Sequence, residues 1–196
     1  MSKSDFYYVV PSSNRYRQVS SEGCELLPLL DELTAGRPLS KQWKPPNYSI
    51  RGTETWPDWM AFFCPLLSKR ALLGLKELVT PHCELIPWID SEKRRYTLLN
   101  VLTTIPLAHW SCEKSSSYDG SYASADVISL RDIAVPDLFR LEGYSGKTFV
   151  SSYLAQRSVS LGLRGAAFVH PSIPALDLSF FQMRFGRAGT GFISLK

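Results

Sequence analysis

The chain holds 196 residues, 44% hydrophobic, 12% aromatic and 20% charged, with a net charge of +4. A chain of this length buries about 70% of its unfolded surface and folds without metal or disulfides, and its apolar content excludes an intrinsically disordered protein. Apolar runs of at most six residues exclude a membrane-spanning helix, which takes roughly 20, and the opening Met1-Ser2-Lys3-Ser4-Asp5 has no signal-peptide core, so one soluble, cytoplasmic domain spanning residues 1–196 is expected.

In chain order, Phe6-Tyr7-Tyr8-Val9-Val10 is aromatic and β-branched and halts at Pro11, which predicts a buried strand. Residues 41–59 carry Pro45, Pro46 and Pro57 with three of the five tryptophans, Trp43, Trp56 and Trp59. Prolines deny a strand ladder its donors, so this stretch reads as a long loop or arm. Such an arm either tucks its aromatics onto the core or offers them to a partner. From Ser68, a residue suited to capping, Ala71, Leu72, Leu75, Leu78 and Val79 recur with helical spacing until Pro81. Cys83–Ile89 and Arg95–Leu102 read as a hairpin around the polar Asp90-Ser91-Glu92-Lys93, with Pro87 placing the first strand at an edge. Further strands are expected at Ala125–Leu130, Leu138–Leu141, Thr148–Val150 and Gly165–Val169. Between the last two, Ser151 caps a short helix that closes at Gly162. Short strands interrupted by two helices predict an α+β fold with a mostly antiparallel sheet. The tail from Phe180 to Leu195 fits no element clearly.

No chemical motif survives inspection. Gly143-Tyr144-Ser145-Gly146-Lys147-Thr148 lacks the leading glycine of a phosphate loop and runs into a strand, where the anion would need a helix N-terminus. A Gly-x-Ser-x-Gly elbow is missing. His82, His109 and His170 leave a hydrolase using His109 or His170 as an alternative. Zinc on His82, Cys83, His109 and Cys112 has the right donor count, but adjacent strand residues point to opposite faces, so no metal and no cofactor are expected. The four cysteines, at 24, 64, 83 and 112, contain no Cys-x-x-Cys pair and read as buried free thiols. Residues 143–196 carry six basic side chains against the single acid Asp177. That density is too low for a nucleic-acid stripe and leaves a protein partner open.

Trp56-Pro57-Asp58, Leu67-Ser68-Lys69-Arg70, Glu84-Leu85-Ile86-Pro87 and Tyr96-Thr97-Leu98-Leu99-Asn100-Val101 stand in a recognisable order. Leu138-Phe139-Arg140-Leu141, Thr148-Phe149-Val150-Ser151 and Gly162-Leu163-Arg164-Gly165 continue it to Phe168. Over roughly residues 56–170 this series resembles immunity-protein family eleven of bacterial polymorphic toxin systems. Where such proteins tend to carry acids after the second hairpin strand, this chain has Ala108-His109-Trp110-Ser111-Cys112. The resemblance implies a cytoplasmic antidote, encoded beside its cognate toxin, that binds the toxin domain stoichiometrically rather than acting as an enzyme. A peptide-binding regulatory module without a toxin is a further alternative. Interfaces of this kind rest on a few aromatic and arginine anchors. Trp56 and Trp59 belong to the family pattern and are expected to pin the arm. Trp43 and Tyr48 lie outside it and are the expected partner-binding residues, with Arg184 and Arg187 as an electrostatic supplement and neither nucleic acid nor membrane as partner.

Overall fold

The computed structural model describes residues 5–11, 18–20, 32–33, 35–39, 43, 49–51, 55–60, 64–89, 93–115, 125–171 and 191–193. The strands are β1 (Phe6–Pro11), β2 (Gln18–Ser20), β3 (Ser49–Arg51), β4 (Trp59–Met60), β5 (Leu66–Ser68), β6 (Cys83–Ile89) and β7 (Arg95–Val101). They continue as β8 (Thr104–Ile105), β9 (Trp110–Ser115), β10 (Ala125–Leu130), β11 (Leu138–Leu141), β12 (Tyr144–Ser151), β13 (Ala166–Val169) and β14 (Gly191–Ile193). Two helices whose bounds lie within the described residues, α1 (Lys69–Val79) and α2 (Ser152–Ser160), give an α+β architecture, and residues 32–33 are helical as well.

The larger sheet runs β14-β13-β1-β12-β11-β8. Its pairs are antiparallel except β11 with β8 and β13 with β14. Alternation along the strands divides its side chains between two cores. Tyr7, Leu138, Val150, Ala166 and Phe168 face the helices. Phe6, Tyr8, Val10, Phe139, Phe149 and Val169 face the opposite way and pack with Trp110 and Ile128 of the β9–β10 hairpin. The smaller sheet, β4-β5-β7-β6, has the same division. Leu67, Leu99 and Val101 join the helix-side core, while Leu66, Trp88, Tyr96 and Leu98 form a third cluster on the far face. Pro87 lies in β6 at the end of the strand order, where its missing N–H interrupts no ladder.

Each helix follows a strand without any linker. Ser68 ends β5 and caps α1, its Oγ accepting from Ala71 N at 3.2 Å while donating to Asp58 Oδ1 at 3.0 Å. Ser151 ends β12 and caps α2 in the same manner, accepting from Leu154 N at 3.1 Å and donating to Asp137. Neither helix has an acid in its own first turn. Asp58 and Asp137 supply that negative charge from outside, against the positive end of each helix dipole.

The expected strand at Thr148–Val150 is longer, opening at Tyr144 directly after a turn in which Gly143 takes φ +74°. The stretch following Gly146-Lys147 is a strand, not a helix. Sequence reading passed over β9, whose Ser111, Glu113 and Ser115 alternate with Trp110 and Cys112 beside the helix-like turn at 107–109. Of the unplaced tail only β14 is described; the rest, with Cys24 and residues 90–92 of the hairpin turn, lies outside the described residues.

Candidate partner-binding surface

Two described residues of the aromatic arm, Trp43 and Trp56, lie on the far face of the smaller sheet, and residues Ser49–Arg51 of the stretch expected to be a loop form β3, paired with β2. Asn100, fully buried on β7, donates through Nδ2 to Arg37 O and to Glu84 Oε2, both at 2.9 Å, and Glu84 Oε2 also accepts from Leu39 N. These bonds fix the backbone at 37–39. Beyond it, Leu39, Trp43 and Trp56 pack on the Leu33–Met60–Trp88–Tyr96 cluster. Trp43 is half-buried, and its indole N–H is shielded from solvent without an acceptor. Trp56 is met by Arg94, whose guanidinium lies 3.9 Å from the ring centroid, and by Tyr96, whose ring centroid is 6.2 Å away. Trp59 faces the other core, edge-on to Phe168 at 5.7 Å.

Asp58 fastens this arm to the helices. It is 8% exposed. Its carboxylate accepts from Ser68 Oγ, from Arg70 Nη1 at 3.1 Å and from Arg164 N at 3.2 Å. Asp58 N and Trp59 N both donate to Arg164 O, at 2.8 and 3.0 Å, and Tyr96 Oη donates to Pro57 O at 3.1 Å. Trp56-Pro57-Asp58 is therefore tied to β7, to α1 and to the backbone of Arg164. Of the four expected partner-binding residues, Trp43 lies on that far face. Tyr48, Arg184 and Arg187 lie outside the described residues.

The nucleophiles and bases are differently employed. Cys83 donates to Val79 O at 3.1 Å, and burial, with the nearby Cys64 and Glu84, pushes its thiol up to about 12. Burial also raises the Cys64 thiol, with Arg140 opposing through its charge and a 3.0 Å bond to Sγ. Neither is a thiolate at neutral pH, the form that attacks or ligates. His82 Nδ1 meets Thr103 Oγ1 at 3.0 Å, and burial lowers its pKa against the opposing charge of Asp137. His170 stands edge-on to Tyr7 at 5.7 Å, and His109 is exposed on the turn at 107–109. Among the described residues no three His, Cys, Asp or Glu side chains come together as a metal site. One open pocket of about 230 Å³ lies where Thr104, Arg140, Glu142 and Tyr144 meet, mixing both charge signs in its lining.

Among the described residues four large apolar side chains are exposed, two of them on the helices. Leu73 is 70% exposed and Tyr153 62%, against Ile89 at 58% on the edge strand and Leu107 at 61% on its turn. On α1 the buried residues are Ala71, Leu75 and Val79. Lys69, Leu73, Lys76 and Glu77, spaced i, i+4, i+7 and i+8, form the exposed opposite stripe. On α2 the buried residues are Leu154, Ala155 and Ser158, and Tyr153, Arg157 and Ser160 form the outer stripe. At the seam between the two helices, Gly74 stands against the side-chain tip of Leu161, the C-cap of α2. A Cβ there would stand 2.5 Å from Leu161 Cδ1, and Arg70 Nη2 donates to Leu161 O at 2.7 Å across the same seam. Comparison with family models and with curated proteins finds no match. The surface must therefore be interpreted from its own chemistry. Leu73 and Tyr153 are exposed on the two helices, with lysine and arginine on the same outer faces; of these, tyrosine and arginine are the residue types enriched as interface anchors. Sequence reading missed it because Leu73 has a leucine's usual prior of burial; the signal was its position opposite 71, 75 and 79. No helix among the described residues is long and apolar enough to cross a membrane.

Proposed function

We propose that this protein is a cytoplasmic immunity protein that binds a bacterial toxin domain in a stoichiometric complex and blocks it. The observation that carries the reading is the pair of outer stripes, Lys69-Leu73-Lys76-Glu77 and Tyr153-Arg157, exposed on adjoining helices. The resemblance of residues 56–170 to immunity-protein family eleven supports the same conclusion. So does the assignment of the buried cysteines to packing rather than to chemistry. An antidote must hold its toxin tightly and for long, which favours a patch of anchors already held in place on packed helices.

The test is co-expression with the toxin domain encoded in the adjacent reading frame. Protection of the cells and a 1:1 complex by light scattering are expected. Leu73→Ala with Tyr153→Ala should speed dissociation by at least about tenfold, since truncating a central anchor typically costs about 2 kcal/mol, while the melting temperature stays unchanged. Protection at far below one copy per toxin molecule would overturn the proposal in favour of an enzyme, with His109 and His170 the first residues to replace.

A further inference from the structure

The helical layer is charged asymmetrically as well as apolar at its anchors. Lys69, Arg70, Lys76, Arg157 and Arg164 are all exposed there, against Glu77 and the nearly buried Asp58. Asp58 is already engaged, 3.1 Å from Arg70 and 3.9 Å from Arg164 Nε. Among the described residues Lys69, Lys76 and Arg157 join no ion pair. The two capping aspartates that serve the helix N-termini are turned inward onto Ser68 and Ser151, so their charge does not offset the outer stripes. The cations of the two stripes are left to face solvent or a partner.

We infer that the occupant of this face is an acidic protein surface, carrying carboxylates around an apolar depression that receives Leu73 and Tyr153. The inference rests on the toxin-binding reading and specifies the chemistry of the toxin's contact surface. Charge complementarity sets the sign. Lys69 and Lys76 outnumber Glu77 among the exposed neighbours of Leu73, and Arg157 lies one turn from Tyr153, so each apolar anchor has a cation beside it to pair with a rim carboxylate. Leu73 argues for protein over nucleic acid, because an aliphatic side chain at the centre of the stripe gains nothing from a phosphate backbone. A mechanistic consequence follows. A toxin that cleaves nucleic acid carries a basic cleft for phosphates, and this face would repel such a cleft. Against a nuclease, inhibition through this face therefore acts at a site away from the cleft.

The experiment uses the full chain and the toxin domain from the adjacent reading frame, with association rates measured between 50 and 500 mM salt. Steering between opposite charges predicts that the rate falls at least about tenfold over that range. The Lys69→Glu/Lys76→Glu/Arg157→Glu variant should lower it at least about tenfold at low salt. The Lys69→Gln/Lys76→Gln/Arg157→Gln variant should fall between, and both should keep the wild-type melting temperature. Should reversal prevent folding, the salt dependence of the wild-type protein decides alone. A complex that forms at a rate indifferent to salt and to charge reversal overturns the inference and leaves the immunity reading standing. No complex and no protection by the wild-type chain overturns both. Comparably tight binding of a 20-base-pair duplex DNA, lost on charge reversal, also overturns it by making nucleic acid the occupant.

Discussion

Replacing Gly165 tests how the arm and the helical layer are joined. Gly165 takes φ +106°, and a Cβ there would overlap Pro57 Cβ and stand 2.5 Å from Trp59 O. Positive φ costs an alanine about 1–2 kcal/mol, and forced overpacking adds about 1–3 kcal/mol. Taking about 4 kcal/mol in total, and about 2–4 °C per kcal/mol for a chain of this size, Gly165→Ala should melt roughly 8–16 °C below wild type. The clash is with backbone, so relief requires moving residues 57–59 off Arg164 O and breaking two hydrogen bonds. Gly143→Ala is the matched control. Its φ is +74°, and a Cβ there meets nothing within 4 Å, so only the conformational cost of about 1–2 kcal/mol remains, a fall of roughly 2–8 °C. The loss of unfolded-chain freedom from Gly to Ala is common to both and cancels in the comparison. Thermal unfolding followed by circular dichroism reads the difference. Equal melting temperatures for the two variants would refute the claim that close approach at 57–59 requires this glycine.

Asp58→Ala removes the acceptor of Ser68, Arg70 and Arg164 N, and denaturant unfolding should show about 2 kcal/mol lost, with Asp58→Asn milder. Asn100→Leu severs both Nδ2 bonds to the arm and should cost about 2 kcal/mol in the same assay. His82 is held neutral by burial, with a folded pKa below its ordinary 6.5. Its contribution is therefore present above pH 6.5 and declines as pH falls from there towards the depressed value, and His82→Gln should flatten that part of the stability profile. Cys83 carries the opposite sign. Its thiol stays protonated to about 12 while the unfolded chain ionises near 9, so stability should fall as pH rises between them, and iodoacetamide at pH 8 should leave Cys64 and Cys83 unmodified in the native protein.

The elements legible in the sequence are those whose signal is local. The period of Ala71, Leu75 and Val79 and the capping serines at 68 and 151 define both helices to within a residue. Pro87 correctly marks an edge strand, because the absence of a donor is a local fact with one tolerable place in a sheet. Strands β4, β5 and β8, of two or three residues, had no legible period and exist through long-range pairing. The division of hydrophobics into three cores is likewise non-local: Leu98 and Leu99 are equally apolar in sequence, yet they serve opposite faces of one sheet. The candidate surface was the least legible part. Whether a tryptophan is an anchor or a cover depends on what lies beneath it, and Trp56 rests on Tyr96, forty residues away in the chain.

The junctions at Ser68 and Ser151 have a mechanical consequence. Because the residue that closes each strand also opens the following helix, neither helix has slack in which to tilt or slide against the sheets. A load applied to Leu73 or Tyr153 is transmitted along β5 and β12 into hydrogen-bonded ladders, and those strands resist it in shear. A partner seated on the helices would thus hold elements continuous with strands of both sheets. Pulling it away should break the contact before it unfolds the scaffold, so single-molecule extension of such a complex would release the partner intact and leave this protein folded and able to bind again.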